Sequence, residues 1–424
     1  MTTSARSAVL SQVNSRRHHP SRIQPGPPPD GGLLAWTQVA MGHLTIASTF
    51  GYITSFGVFQ TYYESTLDVS SSAISWIGAM QIFLLFLLGT FSGRALDAGL
   101  FHHVYITGSV FQLLAVFTTA ECKQYWQFLL AQGLCQGLSN GLQFTPTMSL
   151  VSTYFSSHRS LALGFVALGS CTGGVFIPVI VQQAIPRIGF SWTVRIIGFL
   201  FTITNVMTIC FYRTRLPPRK SGPLVEWAAF RESPYSLFIA AMFFNFWGLY
   251  FALFYIGSFG RDRLGVSYKD SINLLITVVS VGFIARILPN YIADRTGPLN
   301  ALIPFAFLAI VAQFSWIAIA DRASLFVFAV FYGIAAGAIQ GVFPATLTSL
   351  TTDISKTGVR MGMGFSVVAF ASLSGPPLAG ALIQAHDGDY LYAQIWGGLS
   401  FLLGSILLVA CRVAKVGWKI KQRT

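Results

Sequence analysis

Twelve runs of mostly apolar residues, each long enough to cross a bilayer, limit what this chain can fold into. They lie at 34–62, 73–93, 102–120, 125–150, 160–184, 190–212, 235–258, 271–292, 299–319, 323–348, 361–384 and 391–412, joined mostly by short loops. A helix needs roughly 20 apolar residues to cross the hydrocarbon layer. Within that layer each backbone amide must find its partner in its own segment, because no water is there to supply one. Only 10% of the 424 residues are charged, against about 25% in soluble domains. The expected fold is an all-α membrane protein of 12 transmembrane helices, numbered here in chain order.

The longest internal loop contains "RTRLPPRK" and divides the helices six and six. The expected organisation is a disordered N-terminal tail at 1–32, a six-helix bundle at 33–212, a linker loop at 213–234, a second bundle at 235–412 and a short tail at 413–424. The first 29 residues are polar, carry Arg6, Arg16, Arg17 and Arg22, and end in "PGPPP". They lack the apolar stretch of a signal peptide. Nineteen lysines and arginines fall on the side of the two tails and six on the other. That bias places both termini in the cytoplasm. The net charge of +13 therefore reports orientation; scattered through short loops, it does not form a nucleic-acid surface. The five cysteines have no metal spacing and, being odd in number, read as free thiols.

The halves repeat. "GLCQGLSNGLQFTPTMSL" (Gly133 to Leu150) resembles "GIAAGAIQGVFPATLTSL" (Gly333 to Leu350) at a constant offset of 200 residues. Parallel repeats of this kind predict two bundles related by a pseudo-two-fold axis along the membrane normal.

Polar residues inside a span are costly and mark either a pathway or helix-to-helix bonding. In helix 4, Gln132, Gln136, Asn140 and Gln143 fall on one face at 100° per residue, beside a stripe of Gly133, Gly137 and Gly141. The glycines predict close helix packing, and the amides predict the wall of a wet pathway. Asn245 and Tyr250 in "FFNFWGLYFALFY" of helix 7 are candidate contacts, as is Thr54 of helix 1. All fourteen acids fall in tails, loops or span ends. His43 is the one histidine inside a span, and its ordinary pKa suits a proton relay; a neutral ring bonded to a neighbouring helix is the competing reading. In "VVSVGFIARILPNYIADR", Arg286 stands in helix 8 without an acid beside it. About 12 Å separate it from the helix end near Asp294. The sequence has no H-E-x-x-H, G-x-S-x-G or phosphate-binding lysine loop, so no enzyme, cofactor or metal is expected.

These features resemble the major facilitator superfamily. "GRALDAG" (Gly93, Arg94, Asp97) and "ADRTG" (Asp294, Arg295) resemble its loops after helices 2 and 8. There the resemblance implies a gating role, holding the cytoplasmic ends together in the outward-open state. A narrower resemblance is to the monocarboxylate transporter family in its fungal branch. "PDGGLLAW" (Asp30, Gly31, Gly32, Trp36) is similar to its D-G-G-x-x-W signature, and "YFSSHRSLALGFVALGSCTGG" (Arg159, Gly164) to its segment entering helix 5. Arg286 matches the arginine that pairs with the substrate carboxylate in animal members. Gly282 and Thr54 stand where those members carry an aspartate and a lysine used in proton–lactate coupling.

The resemblance implies a transporter working by alternating access on a small organic anion. Arg286 would bind the anion, with Gln136, Asn140, Gln143, Asn245, Tyr250 and Thr54 contacting the rest. A proton would be the co-substrate if His43 couples it. The alternatives are export of a bulkier metabolite or drug, uptake of a vitamin-like aromatic anion and, less favoured, a membrane sensor. The expected location is the cell membrane, with the vacuolar membrane as second choice.

Overall fold

The computed structural model describes residues 28–155, 159–215, 225–351 and 357–417. Most of the two tails and of the basic linker thus lie outside the described residues, as do the side chains of Asp97, Arg159 and Asp294. The described chain is all-helical. Helix 1 runs in three stretches, Gly32–Ser48, Phe50–Thr54 and Phe56–Thr66. Helix 2 is Ser71–Asp97 and helix 3 Phe101–Thr119. Helix 4 starts at Tyr125–Phe128, passes through a π-helical stretch at Leu129–Cys135 and continues as Gln136–Ser152. Helix 5 opens with Arg159–Ala167 and resumes at Gly169. It meets helix 6, which ends at Phe211, at a joint on Gly189 with φ 79° and ψ 172°. A residue with a side chain rarely adopts that φ. Helices 7 to 12 are Ser233–Leu264, Tyr268–Thr296, Pro298–Ser315, Arg322–Ser349, Thr357–Ala385 and Leu391–Val416. Among the described residues, eight helical stretches are long and apolar enough to cross a membrane by length and composition.

Local chemistry sets several boundaries. Ser70 accepts from the Ala73 amide at 3.2 Å to start helix 2, and Ser267 accepts from Asp270 at 3.1 Å to start helix 8. Asp321 caps helix 10 through the amides of Ala323 and Ser324 at 2.8 and 3.0 Å. The Ser324 bonds hold its carboxyl below the usual range. Gly265, at φ 61°, ends helix 7 in the left-handed conformation.

The repeated glycine stripes do the same work in each half. A Cβ on Gly137 would lie 2.8 Å from Leu84, and one on Gly141 would lie 2.5 Å from the Leu84 carbonyl, so helix 4 packs on helix 2. A Cβ on Gly333 would lie 2.4 Å from the Val278 carbonyl, and one on Gly337 2.8 Å from Ala285, so helix 10 packs on helix 8.

The first six and last six helices meet along three seams. Helices 2 and 11 run together from Ser72, whose hydroxyl donates to Pro377 at 2.7 Å, to Thr90, whose hydroxyl donates to Gly362 at 3.0 Å. Helices 5 and 8 are joined where Gln182 donates to Asn273 at 3.0 Å. At the end of the bundle opposite the termini, helices 1 and 7 cross closely. A Cβ on Gly57 would lie 2.5 Å from the Leu253 carbonyl, and one on Gly257 3.0 Å from the Thr61 hydroxyl. At the termini end, the last part of the linker is tied to helix 11. Buried Arg360 donates to Glu232 at 2.5 and 2.8 Å and to Glu226 at 3.0 Å, and the Tyr235 hydroxyl donates to the Arg360 carbonyl at 2.9 Å.

Candidate functional site

Helix 8 brings Arg286 to the middle of its seam with helix 5. There one guanidinium nitrogen donates to the Ser170 hydroxyl and to Cys171 Sγ, the latter at 2.8 Å. The Asn290 side chain donates to the Arg286 carbonyl at 2.8 Å, which braces the helix one turn on. Among the described residues no carboxylate pairs with Arg286. Two neutral partners leave the charge uncompensated, and a guanidinium presents further donors in a fork suited to carboxylate geometry.

A narrow cavity opens beside it. Thr54, Cys171, Leu253, Val279, Gly282 and Gln340 are among the lining residues, with Arg286 the charged one. Both halves contribute walls. Gly282 and Gly337 keep the surface close to the backbone, and the rest is mostly apolar. Thr54 donates to the Gly51 carbonyl at 2.9 Å and lies 3.4 Å from the Ser170 carbonyl, so it supports helix 5 where Arg286 reaches it. Tyr250 is fully buried and its hydroxyl has no partner among the described residues. The Arg286 charge acts on it. Arg286 and Thr54 thus come together with Cys171 and Gln340, and Ser170 bonds the guanidinium; Tyr250 is not among the residues that line the cavity.

The other sequence candidates lie elsewhere. The amide face of helix 4 does not line this cavity. Gln143 donates to Ser109 at 3.1 Å and lies 3.3 Å from Asn205 Oδ1; Asn205 in turn donates to Gln112 at 2.8 Å. Gln136 donates to Asn140 at 3.0 Å. Gln132 sits in the π-helical stretch and accepts from the Tyr63 hydroxyl at 2.5 Å. Gln132 and Gln143 bond helix 4 to helices 1, 3 and 6 inside the N-terminal half, while Gln136 and Asn140 bond each other. The π-helical stretch takes in Gln132 alone of the four; Gln136, Asn140 and Gln143 lie on the regular helix after it, and among the described residues Gln136 Oε1, Asn140 Nδ2 and Gln143 Oε1 are buried without a partner. Asn245 donates to the Ala241 carbonyl at 2.8 Å and abuts Gly404 of helix 12, where an added Cβ would lie 2.4 Å from its amide nitrogen. It faces the packed side of helix 7. His43 Nδ1 lies 2.9 Å from the Phe165 carbonyl and Nε2 3.0 Å from the Thr172 hydroxyl. Both contacts are to helix 5, the arrangement of the competing reading.

Two sequence signatures meet in space. The Asp30 amide donates to the Tyr154 carbonyl at 3.1 Å, and Trp36 sets its ring edge-on to Phe155 and Phe165 at 5.6 and 5.9 Å. Gly32, at φ 82°, and Gly31 make the turn into helix 1. Gly164 has open space where a Cβ would stand. The signatures build the entry to helices 1 and 5, away from the cavity. Of the gating loops, Gly93 packs on Thr145, where an added Cβ would lie 3.2 Å from a methyl, and Arg94 is half-buried. Arg295 is exposed, bonds the Tyr291 hydroxyl and lies over that ring at 4.4 Å.

The Major Facilitator Superfamily model matches residues 42–351. The chain belongs to that superfamily. It is 45% identical over 411 residues to an MFS-type transporter of Gibberella zeae, covering 96% of this chain and 93% of the relative. It is 33% identical over 406 residues to the aspyridones efflux protein apdF of Emericella nidulans, covering 95% and 82%. Its fold matches a crystal structure of the nucleoside transporter NupG with a TM-score of 0.67 at 15% identity, over 90% of this chain and 99% of that one. This member of the superfamily is a multi-pass membrane transporter of a small molecule and not an enzyme. The narrower monocarboxylate resemblance receives no support from these relatives' names.

Proposed function

We propose that this transporter exports an organic metabolite bulkier than lactate and bearing an acidic group, by alternating access between its two halves. The observation that carries the acidic group is Arg286, a cation at the seam of the halves whose partners, Ser170 and Cys171, are both neutral. A carboxylate or acidic enol on the solute would complete its fork. The largely apolar, glycine-relieved wall of the cavity matches an apolar remaining body in character, and the narrow space would have to widen as the halves part to admit it. The relative named as an aspyridones efflux protein supports export over uptake of a small monocarboxylate. Thr54 and Tyr250 complete the proposed site. The gating role stays with Gly93, Arg94, Asp97, Asp294 and Arg295, and the charge bias favours both termini in the cytoplasm of a cell-membrane protein.

The test is a thermal-shift screen of purified protein against organic acids graded from lactate to polycyclic enols, followed by counterflow in proteoliposomes. Larger acids are expected to stabilise the protein and exchange, and the stabilisation is expected to vanish in Arg286→Ala. Exchange of lactate alone, or of neutral solutes equally in parent and Arg286→Ala, would refute the reading.

A further inference from the structure

On the termini side of the cavity the two halves meet through phenylalanine rings. Three of the cavity-lining residues have such a ring on their own helix, one or two turns nearer the termini. Phe50 precedes Thr54 on helix 1, Phe246 precedes Leu253 on helix 7 and Phe343 follows Gln340 on helix 10. At 1.5 Å per residue those offsets are roughly 5–10 Å. Phe86 of helix 2 and Phe365 of helix 11 join them. Phe50, Phe86, Phe246 and Phe343 are buried, and Phe365 is half-buried.

The cluster is lopsided. Phe246 and Phe365 belong to the second half and are linked by Phe343 of the same half, whose centroid lies 5.6 Å from the first and 5.1 Å from the second. Phe86 enters this set from the first half. Its ring lies along Phe365, at 5.2 Å with 9° between planes, and meets Phe246 edge-on at 6.0 Å and 77°. Parallel and edge-on are the two arrangements that aromatic pairs prefer. The second half thus carries a slot shaped for a flat ring, and a side chain from across the seam fills it.

The slot adjoins the charge. Gly341 of helix 10, two residues before Phe343, faces Arg286: a Cβ there would lie 3.7 Å from the Arg286 Cα. Tyr250 packs on Phe246 at 6.2 Å, and the Arg286 charge acts on it. When the halves part at this end, Phe86 leaves with helix 2, while Phe246, Phe343 and Phe365 stay in the half that carries Arg286. Three aromatic surfaces are then bared to the pathway, and covering them again is favourable. A saturated body covers them by area alone. A flat ring also restores the parallel and edge-on contacts that Phe86 gave up.

We propose that Phe246, Phe343 and Phe365 form the subsite for a planar, aromatic part of the solute, and that Phe86 occupies it while the halves are closed. This deepens the exporter reading above and rests on its movement of the two halves; the body of the solute becomes flat and unsaturated.

The test uses four probes that combine two bodies with two head groups: naphthoate, decalin carboxylate, naphthyl methanol and decalin methanol. Affinities are measured by calorimetry on the full chain in nanodiscs. The naphthyl member of each pair is expected to bind about fivefold tighter than its decalin partner, the size of an aromatic pair contact. Decalin is the more apolar body, so partition alone gives the reverse order. Phe365→Leu should erase the preference, and Phe365→Tyr, which keeps the ring, should retain it. The head group reports separately on Arg286. Equal binding of naphthyl and decalin probes, with a carboxylate preference that Arg286→Ala removes, overturns the slot and leaves the acidic solute standing. A naphthyl preference with no carboxylate preference supports the slot and refutes the acid. A naphthyl preference that survives in Phe365→Leu, or binding of none of the four probes, overturns the slot as well.

Discussion

Helices 4 and 10 carry the same glycine stripe 200 residues apart and pack the same way, yet they do different jobs. Helix 4 buries its amides inside the N-terminal half, where Gln143 joins a bonded network with Ser109, Gln112 and Asn205 of helices 3 and 6. Helix 10 has one amide, Gln340, and turns it to the cavity beside Arg286. The duplicated backbone contact fixes the architecture, and the polar residues laid over it differ by half. In the N-terminal half Gln132 and Gln143 bond neighbouring helices; in the C-terminal half Gln340 lines the cavity.

Five substitutions sharpen or break that contrast, from the largest expected effect to the smallest. Arg286→Ala is expected to cut solute flux about a hundredfold, as loss of one partner from a buried charge contact does, while leaving yield and melting temperature near parental values. A marked loss of stability would move Arg286 from the solute to the scaffold. Asn205→Leu is expected to do the opposite. It strands buried donors and acceptors on helices 3 and 4, for about 2–4 kcal/mol of stability, read as a lower melting temperature, with exchange by the surviving folded protein little changed. A variant as stable as the parent would end the claim that this half is knit by its amides. Gly137→Val and Gly337→Val each overpack a helix pair, at about 1–3 kcal/mol. Only Gly337→Val should also weaken solute binding, because only that glycine lines the cavity; equal binding by the two variants breaks the contrast. Finally, His43→Ala should leave the pH profile of counterflow in place, since the ring bridges helices 1 and 5 within one half. A flattened profile would restore His43 to proton coupling.

The spans were legible in the sequence because each is an apolar run broken by charges or turn residues, and the helices observed contain or closely match the expected ranges. The joint at Gly189 was legible as a boundary, though not as a turn made by a single residue. Arg286 stood out because a charge inside an apolar run is expensive. Its neighbours Ser170 and Cys171 did not, since small polar residues in a span are common and only the helix 5–helix 8 crossing gives them a role. The amide face of helix 4 was visible, but its partners on helices 1, 3 and 6 were not. Periodicity shows that residues share a face and does not say what that face meets, and the π-helical stretch shifts Gln132 out of register. Asn245 was drawn to the site by its rarity among aromatics; which side of helix 7 faces helix 12 is decided by Gly404, far along the chain.

The clamp of Arg360 on Glu226 and Glu232 bears on how this polypeptide could be divided. The last stretch of the linker belongs physically to the second bundle, so a break placed ahead of Val225 would leave both glutamates attached to the fragment that needs them. Two genes cut there, expressed side by side, would each encode a piece with its own anchorage intact, and reassembly would depend only on the seams between helices 2 and 11, 5 and 8, and 1 and 7. A break placed after Glu232 would separate the arginine from both of its acids and leave the second fragment with a bare cation at its base.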